Sequence, residues 1–345
     1  MRSLNVVLFL TCVLSAGAQV RTEPQISGPY THDNLAVFLI HANGDNSGQS
    51  HPQVAVKNGA RTSIARYLTL QQAMEQKKVV VYETQQVNEL AVENLSGEPV
   101  FIQDGDIVKG GAQDRMMSND FILPPKSGRR PIAAFCVERG RWSKRGTESA
   151  AKFESSTMQA PLRFEPRAMW NQMSVWGAVE ELQASLATHL HKTESAALAA
   201  VRVPASPTSL ALTQSSKPVE ESVRSYTIAL SSVGSGKTGV IGFAFAVNGQ
   251  MKSADLYASP ELFAAMWPKL LSASALEAVQ HQKSGRVAAV SPVQVLAFLK
   301  DAEKGKQSMT DVDRKVKLIK RESEKQMQVE SWDGANWVHR SVVSK

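Results

Sequence analysis

Between residues 79 and 138 the chain carries five apolar runs: VVVYE (79–83), LAVEN (90–94), PVFIQDGDIV (99–108), DFILPP (120–125) and PIAAFCVE (131–138). The stretches between them are short and polar, with turn residues such as Ser96-Gly97-Glu98. A parallel pair of strands needs a crossover of a dozen or more residues, whereas antiparallel neighbours need only a turn. This half is therefore expected to be antiparallel or mixed sheet, with no doubly wound parallel core.

The rest of the chain alternates helical and strand patterns. AVFLI (36–40) reads as a first strand, and NGDNSGQSHPQ (43–53) as a loop. Thr69 and Gln72 form a capping box that opens a short helix over LQQAMEQKK. Residues 143–165 read as irregular, and a helix is expected from Pro166, with Met169, Met173, Trp176, Val179, Leu182, Leu186 and Leu190 on its apolar face. Residues 192–223 read as a linker or a weakly amphipathic helix, and YTIALSSV (226–233) and GVIGFAFAVNG (239–249) as strands. Ser259-Pro260-Glu261 and Ser291-Pro292-Val293-Gln294 carry helix-start signals. VKLIKR, QMQVESW and NWVHRSVV then read as a C-terminal β-meander turning at Asp333-Gly334, with Trp332 facing Trp337 across strands. The expected class is α+β: mostly antiparallel or mixed sheet in both halves, with packed helices and that meander.

The first residues, MRSLNVVLFLTCVLSAGAQV, have the charged start, apolar core and small-residue cleavage pattern of a secretory signal over 1–18. The expected product is a periplasmic or secreted chain, 19–345, with no later membrane span. It divides into a strand-rich half at 30–142, a helical and linker region at 166–223, and an α+β half at 224–345. Cleavage leaves Cys136 as the only cysteine, which excludes an internal disulfide. The formal charge of +7 is dispersed and gives no strong nucleic-acid signal.

Several motifs are weaker than they look. GSGKTG (234–239) suggests a phosphate loop, but that pattern needs glycine at the place of Ser231 and a helix where strand-like GVIGFAFAV follows. Cys136 stands among apolar residues and reads first as a small core side chain. The seven histidines have no zinc spacing, no metal site is assigned, and no cofactor is specified.

KGGAQDR (109–115) is different. Gly110 and Gly111 permit positive φ and close approach, and Asp104, Asp106, Gln113, Asp114 and Arg115 crowd around them. CVERGRW (136–142) adds Glu138, Arg139, Arg141 and Trp142 at another strand end. A DFILPP strand paired between the two would bring both ends to one sheet edge. The assembled set suits a small-molecule anion: Arg115 and Arg141 as the clamp, Glu138 as acid or base with Asp106 or Asp114, Gln113 to orient, Trp142 as a wall. The same residues also suit a structural staple, because arginine–carboxylate networks serve both purposes.

VVVYE, GDIVKGGAQDR (105–115), FILPPKS (121–127) and CVERGRW resemble the ARG and Rhodanese-Phosphatase-superfamily-associated Protein domain family. GVIGFAFAVNGQ (239–250) and LYASPELFAAMWPKLLSASALEA (256–278) extend the resemblance over most of residues 30–340. It implies one α+β domain with polar positions Glu83, Gln113, Asp114, Arg115, Glu138, Arg141 and Trp142, and chemistry on ADP-ribose or another phosphorylated nucleotide derivative. Two functions are expected: a hydrolase of a phosphorylated or glycosidic small molecule, or a non-catalytic module that binds a ligand or protein partner.

Overall fold

Every residue of the run VIGFAFAV is buried, so the strand it forms must lie between two covering layers. Phe243, Phe245 and Val247 face one core while Ala244 and Ala246 face another, as alternation along a strand requires. The computed structural model of the chain describes residues 24–42, 66–159, 171–190, 201–282, 288–312 and 315–345. The segment expected to be a signal and the expected loop at 43–53 lie outside them.

The first half contains β1 (Gln25–His32), β2 (Leu35–His41), β3 (Leu68–Thr69), α1 (Leu70–Glu75), β4 (Val79–Glu83), β5 (Glu89–Asn94), β6 (Val100–Ile102), β7 (Asp106–Gly110), β8 (Arg115–Met117), β9 (Phe121–Leu123), β10 (Gly128–Cys136) and β11 (Phe153–Gln159). Then come α2 (Gln172–Leu190), α3 (Leu210–Gln214), α4 (Lys217–Gly234), β12 (Val240–Val247), β13 (Gln250–Tyr257), α5 (Pro260–Gln280) and α6 (Pro292–Glu303). The chain closes with β14 (Lys306–Asp311), β15 (Val316–Glu322), β16 (Gln326–Asp333) and β17 (Asn336–Ser344).

The strands form an eight-stranded sheet ordered β1-β2-β12-β13-β17-β16-β15-β14, a six-stranded sheet ordered β11-β7-β8-β10-β5-β4, and a small β3-β6-β9 sheet. Pairing is antiparallel except between β3 and β6. The fold is α+β, and its last four strands are the expected meander, with Trp332 opposite Trp337. α5 is buried along most of its length, and Leu262, Phe263, Met266, Trp267 and Leu270 join Phe243 and Phe245 in the main core. α6 covers the other face of the large sheet through Val295, Phe298 and Leu299. The capping boxes at Thr69 and Ser291 close as read from sequence.

Four local readings differ. YTIALSSV is the end of α4, because only Val219, Tyr226, Leu230 and Gly234 turn inward, while Ile228, which a strand would bury with Tyr226, is exposed. β11 occupies part of the stretch read as irregular, and its Phe153 is buried against the glycine turn at Gly111. α2 starts at Gln172 and buries Val175, Val179, Leu182 and Leu186, leaving Met173 in solvent; Met169 lies outside the described residues. The DFILPP strand does not pair between the two polar clusters: β9 joins β6, and β8 meets β10 directly.

A buried imidazole joins the halves of the molecule. His339 of β17 lies 2.7 Å through Nδ1 from Asp120 Oδ2, just before β9, and 3.1 Å through Nε2 from Asp255 Oδ1 on β13. Ser331 Oγ also donates to Asp120, and Gln103 Nε2 to Asp255. The His339 ring stacks on Tyr257 at 4.7 Å and meets Phe101 edge-on. Burial alone would lower the imidazole pKa, but the two carboxylates outweigh it and raise it to about 9. With a carboxylate at each nitrogen, both nitrogens donate, as an imidazolium does. Because the folded value exceeds the unfolded one, this contribution is complete below the ordinary histidine pKa and is lost as pH rises through about 9. It amounts to about 3 kcal/mol. Urea unfolding from pH 6.5 to 10 is therefore expected to show stability falling by about that amount, with a flatter profile in His339→Gln.

Candidate functional site

The site is built on the turn between β7 and β8. Gly110 and Gly111 have φ of +113° and +56°, a region closed to most side chains. A Cβ at Gly111 would lie 2.8 Å from Phe153 Cε1 and 2.9 Å from Glu83 Oε2. Two carboxylates hold the turn's amides. Asp114 Oδ1 accepts from Gly110 N at 3.0 Å, and Glu83 Oε2 accepts from Ala112 N at 3.1 Å. Pairing of Arg115 with Cys136 then sets the start of β8 beside the end of β10. CVERGRW thus meets GGAQDR without an intervening strand.

Three guanidinium groups close this junction. Arg141 forks onto Glu138, with Nε–Oε1 and Nη2–Oε2 both 2.6 Å, and also donates to the carbonyls of Gly110 and Gly111. Arg145 forks onto Asp114 with two 3.1 Å bonds and reaches Glu138 Oε1 at 3.2 Å. Its Nη2 also binds Glu148 at 3.0 Å. Arg115, fully buried, binds Glu83 Oε1 at 3.2 Å, Val87 O at 2.6 Å and Cys136 Sγ. Ser209 Oγ completes Asp114 at 2.6 Å, Asp114 N donates to Glu138 Oε2 at 2.8 Å, and Ser206 bonds Glu138. Gln113 Nε2 donates to Glu138 O at 2.8 Å.

The electrostatics follow from this pairing. Burial pushes the Glu138 carboxyl up, but Arg141, Ser206 and the Asp114 amide overcome that and hold it below the usual glutamate range. It is therefore an anion that no water touches, since neither Asp114 nor Glu138 has exposed side-chain surface. Burial pushes the Cys136 thiol up to about 11, against the pull of Arg115, so it is no thiolate at neutral pH. Three arginines meet four carboxylates, Glu83, Asp114, Glu138 and Glu148, and the fully ionised cluster carries one net negative charge.

The structure thus brings together Glu83, Gly110, Gly111, Gln113, Asp114, Arg115, Glu138 and Arg141. Trp142 sits at the rim, half exposed, with its ring 5.5 Å from the Arg115 guanidinium carbon. Asp106 is elsewhere. At the start of β7 it accepts from Gln103 N and binds Lys269 Nζ of α5 at 2.5 Å. Burial raises its carboxyl above the ordinary range against the pull of that ammonium. Asp106 therefore cannot partner Glu138 in proton transfer. Arg145, Glu148 and Ser209 escaped the sequence reading. Arg145 and Glu148 lie in a stretch read as irregular, and Ser209 in one read as linker or weak helix; SLALTQ is a cap signal that points only to a helix start. Among the described residues no group of three or more His, Cys, Asp or Glu side chains is placed to hold a metal ion.

Fold and cluster together define an α+β protein whose two long segments are locked at a glycine turn by arginine–carboxylate forks. The chain belongs to the ARG and Rhodanese-Phosphatase-superfamily-associated Protein domain family, whose sequence model matches residues 23–343. No curated protein and no solved structure matches it.

Gly111→Ala combines an unfavourable φ with contact against Phe153, and urea unfolding should show a loss of about 2–4 kcal/mol. Glu138→Gln removes the charge onto which Arg141 forks and one partner of Arg145, and is expected to cost about 3 kcal/mol; a variant as stable as the parent would contradict the pairing.

Proposed function

We propose that the chain is an exported interaction module in which the arginine–carboxylate cluster is a non-catalytic clamp and the surface it presents is the working part. The observation that carries this is the closure of both candidate proton-transfer groups. Glu138 and Asp114 are both buried and saturated with hydrogen bonds, chiefly from their arginines. A general acid must hold a proton near neutral pH, which Glu138 does not, and a general base must reach the substrate, which neither buried carboxylate does. The surface consists of Trp142 and Val87, both large, apolar and exposed, over the Arg115 guanidinium that Val87 O accepts from. Half-exposed tryptophan beside a cation is the side-chain chemistry that anchors protein partners. Export rests on the apolar start of the sequence and its Ala-Gly-Ala cleavage pattern.

One observation favours a second reading. Arg115 Nε is buried and has no hydrogen-bond partner among the described residues. A small phosphorylated or ADP-ribose-like anion reaching it past a displaced Trp142 would supply the missing acceptor, and the chain would then be a hydrolase of that anion. A buried unmet donor costs about 1–3 kcal/mol, which such a ligand would recover.

Calorimetry of the purified chain against peptides, nucleotides and sugar phosphates separates the two. The module reading expects peptide binding without turnover, weakened at least about tenfold by Trp142→Ala at unchanged melting temperature. Turnover of a phosphorylated compound, lost in a folded Glu138→Gln variant, would overturn it in favour of the hydrolase.

A further inference from the structure

Outside the arginine cluster, a serine and a histidine share a short hydrogen bond at the edge of the large sheet. Ser27 Oγ lies 2.7 Å from His41 Nε2, with both side chains partly exposed. The register of β1 on β2 breaks just after Ser27: Ser27 opposes Leu39, and pairing resumes only at Tyr30 and Val37. Gly28 takes φ +116° inside that break, where a Cβ would meet Val37 O at 2.9 Å. The irregularity falls on Gly28 and Pro29, immediately after Ser27, the last residue of β1 in regular register before it.

The proton on that hydroxyl can be assigned. Tyr30 Oη donates toward Ser27 Oγ at 3.4 Å, which leaves the serine's own proton for His41 Nε2. Burial, and then the nearby Lys237 ammonium, lower the His41 pKa, so the ring is neutral and Nε2 is free to accept. Lys237 belongs to GSGKTG, whose spacing departs from the phosphate-loop pattern and whose end is held beside this pair. Gly239 O accepts from Ala42 N at 2.8 Å, and Val240 pairs with His41. Nucleophile and base therefore meet at one rim, with the exposed Lys237 two residues from the backbone that pairs there adding positive charge.

We propose that Ser27 is a nucleophile, with His41 as its general base, for acyl transfer from small esters that carry a carboxylate. As Ser27 Oγ bonds to the ester carbonyl carbon, its proton passes to His41 Nε2. The carbon–alkoxy bond then breaks and the alcohol leaves with that proton. Water, deprotonated in turn by His41, attacks the acyl carbon, and Ser27 Oγ leaves and recovers its proton. The sum is ester plus water giving acid plus alcohol. Lys237 sets the substrate class: an imidazolium forming beside an ammonium is disfavoured, and a carboxylate on the substrate offsets both charges.

The test compares p-nitrophenyl acetate with the mono-p-nitrophenyl ester of succinic acid on the full chain, following nitrophenolate release and locating the acyl group by peptide mass spectrometry. The expected result is an adduct on Ser27, faster release from the succinate ester, no adduct in Ser27→Ala, and about 100-fold slower acylation in His41→Gln. Lys237→Ala should remove the preference for succinate. Melting curves establish that each variant is folded. No adduct on Ser27 in the parent chain, or equal acylation rates in the parent and a folded His41→Gln, overturns the assignment; a succinate preference that survives Lys237→Ala overturns the substrate class. Neither outcome touches the Trp142 surface, which the calorimetry tests separately.

Discussion

The bidentate closure of Glu138 by Arg141 and of Asp114 by Arg145 is the constraint on which the surrounding loops depend. A carboxylate buried without a partner costs several kcal/mol, and it is tolerated only where charge and hydrogen bonds are both supplied. Each acid here meets that condition by drawing in chain from far away in sequence. Glu138 binds the Asp114 amide, and Asp114 binds the Gly110 amide and the Ser209 hydroxyl. Ser209 is also the N-cap of α3, and Leu210 N donates to Val137 O. The same few atoms thus fix the glycine turn, the end of β10 and the start of the helical layer. Removing one carboxylate leaves a mostly buried guanidinium group short of its charge partner.

A second buried polar joint, His339 between Asp120 and Asp255, does the equivalent work between the small sheet and the large one. The Asp106–Lys269 pair adds a tie from β7 to the central helix α5. Apolar packing supplies the bulk of the stabilisation, with α5 burying its side chains against β12 and α4. Packing is non-directional, however, and tolerates sliding. Ion pairs with defined geometry do not, so these joints set how the layers are registered as well as adding to their stability.

The strand-rich first half, the capped helices and the meander were legible because turn chemistry and side-chain period are local. The meeting of GGAQDR with CVERGRW was legible too, because both stretches flank strands. The route between them was not: strand pairing is decided over distance, and β9 took β6 as its partner. Asp106 was grouped with Glu138 by nearness in sequence, yet β7 carries it to α5. Lys269 gives no signal inside an apolar helix. His339 read as one of several scattered histidines, because its partners stand some 84 and 219 positions away. YTIALSSV alternates like a strand over eight residues, and only the longer helical run before it decides otherwise.

The clamp and the open cleft differ in how often the turn must open. A catalytic or anion-admitting pocket needs the junction to part locally, whereas a clamp parts only when the molecule unfolds. Native-state hydrogen exchange at the amides of Gly110 and Asp114 measures that difference directly, because each donates to one of the two clamped carboxylates. The account predicts that both exchange at the free energy of global unfolding, in step with core amides of β12. Exchange of either amide through a low-energy local opening would contradict it.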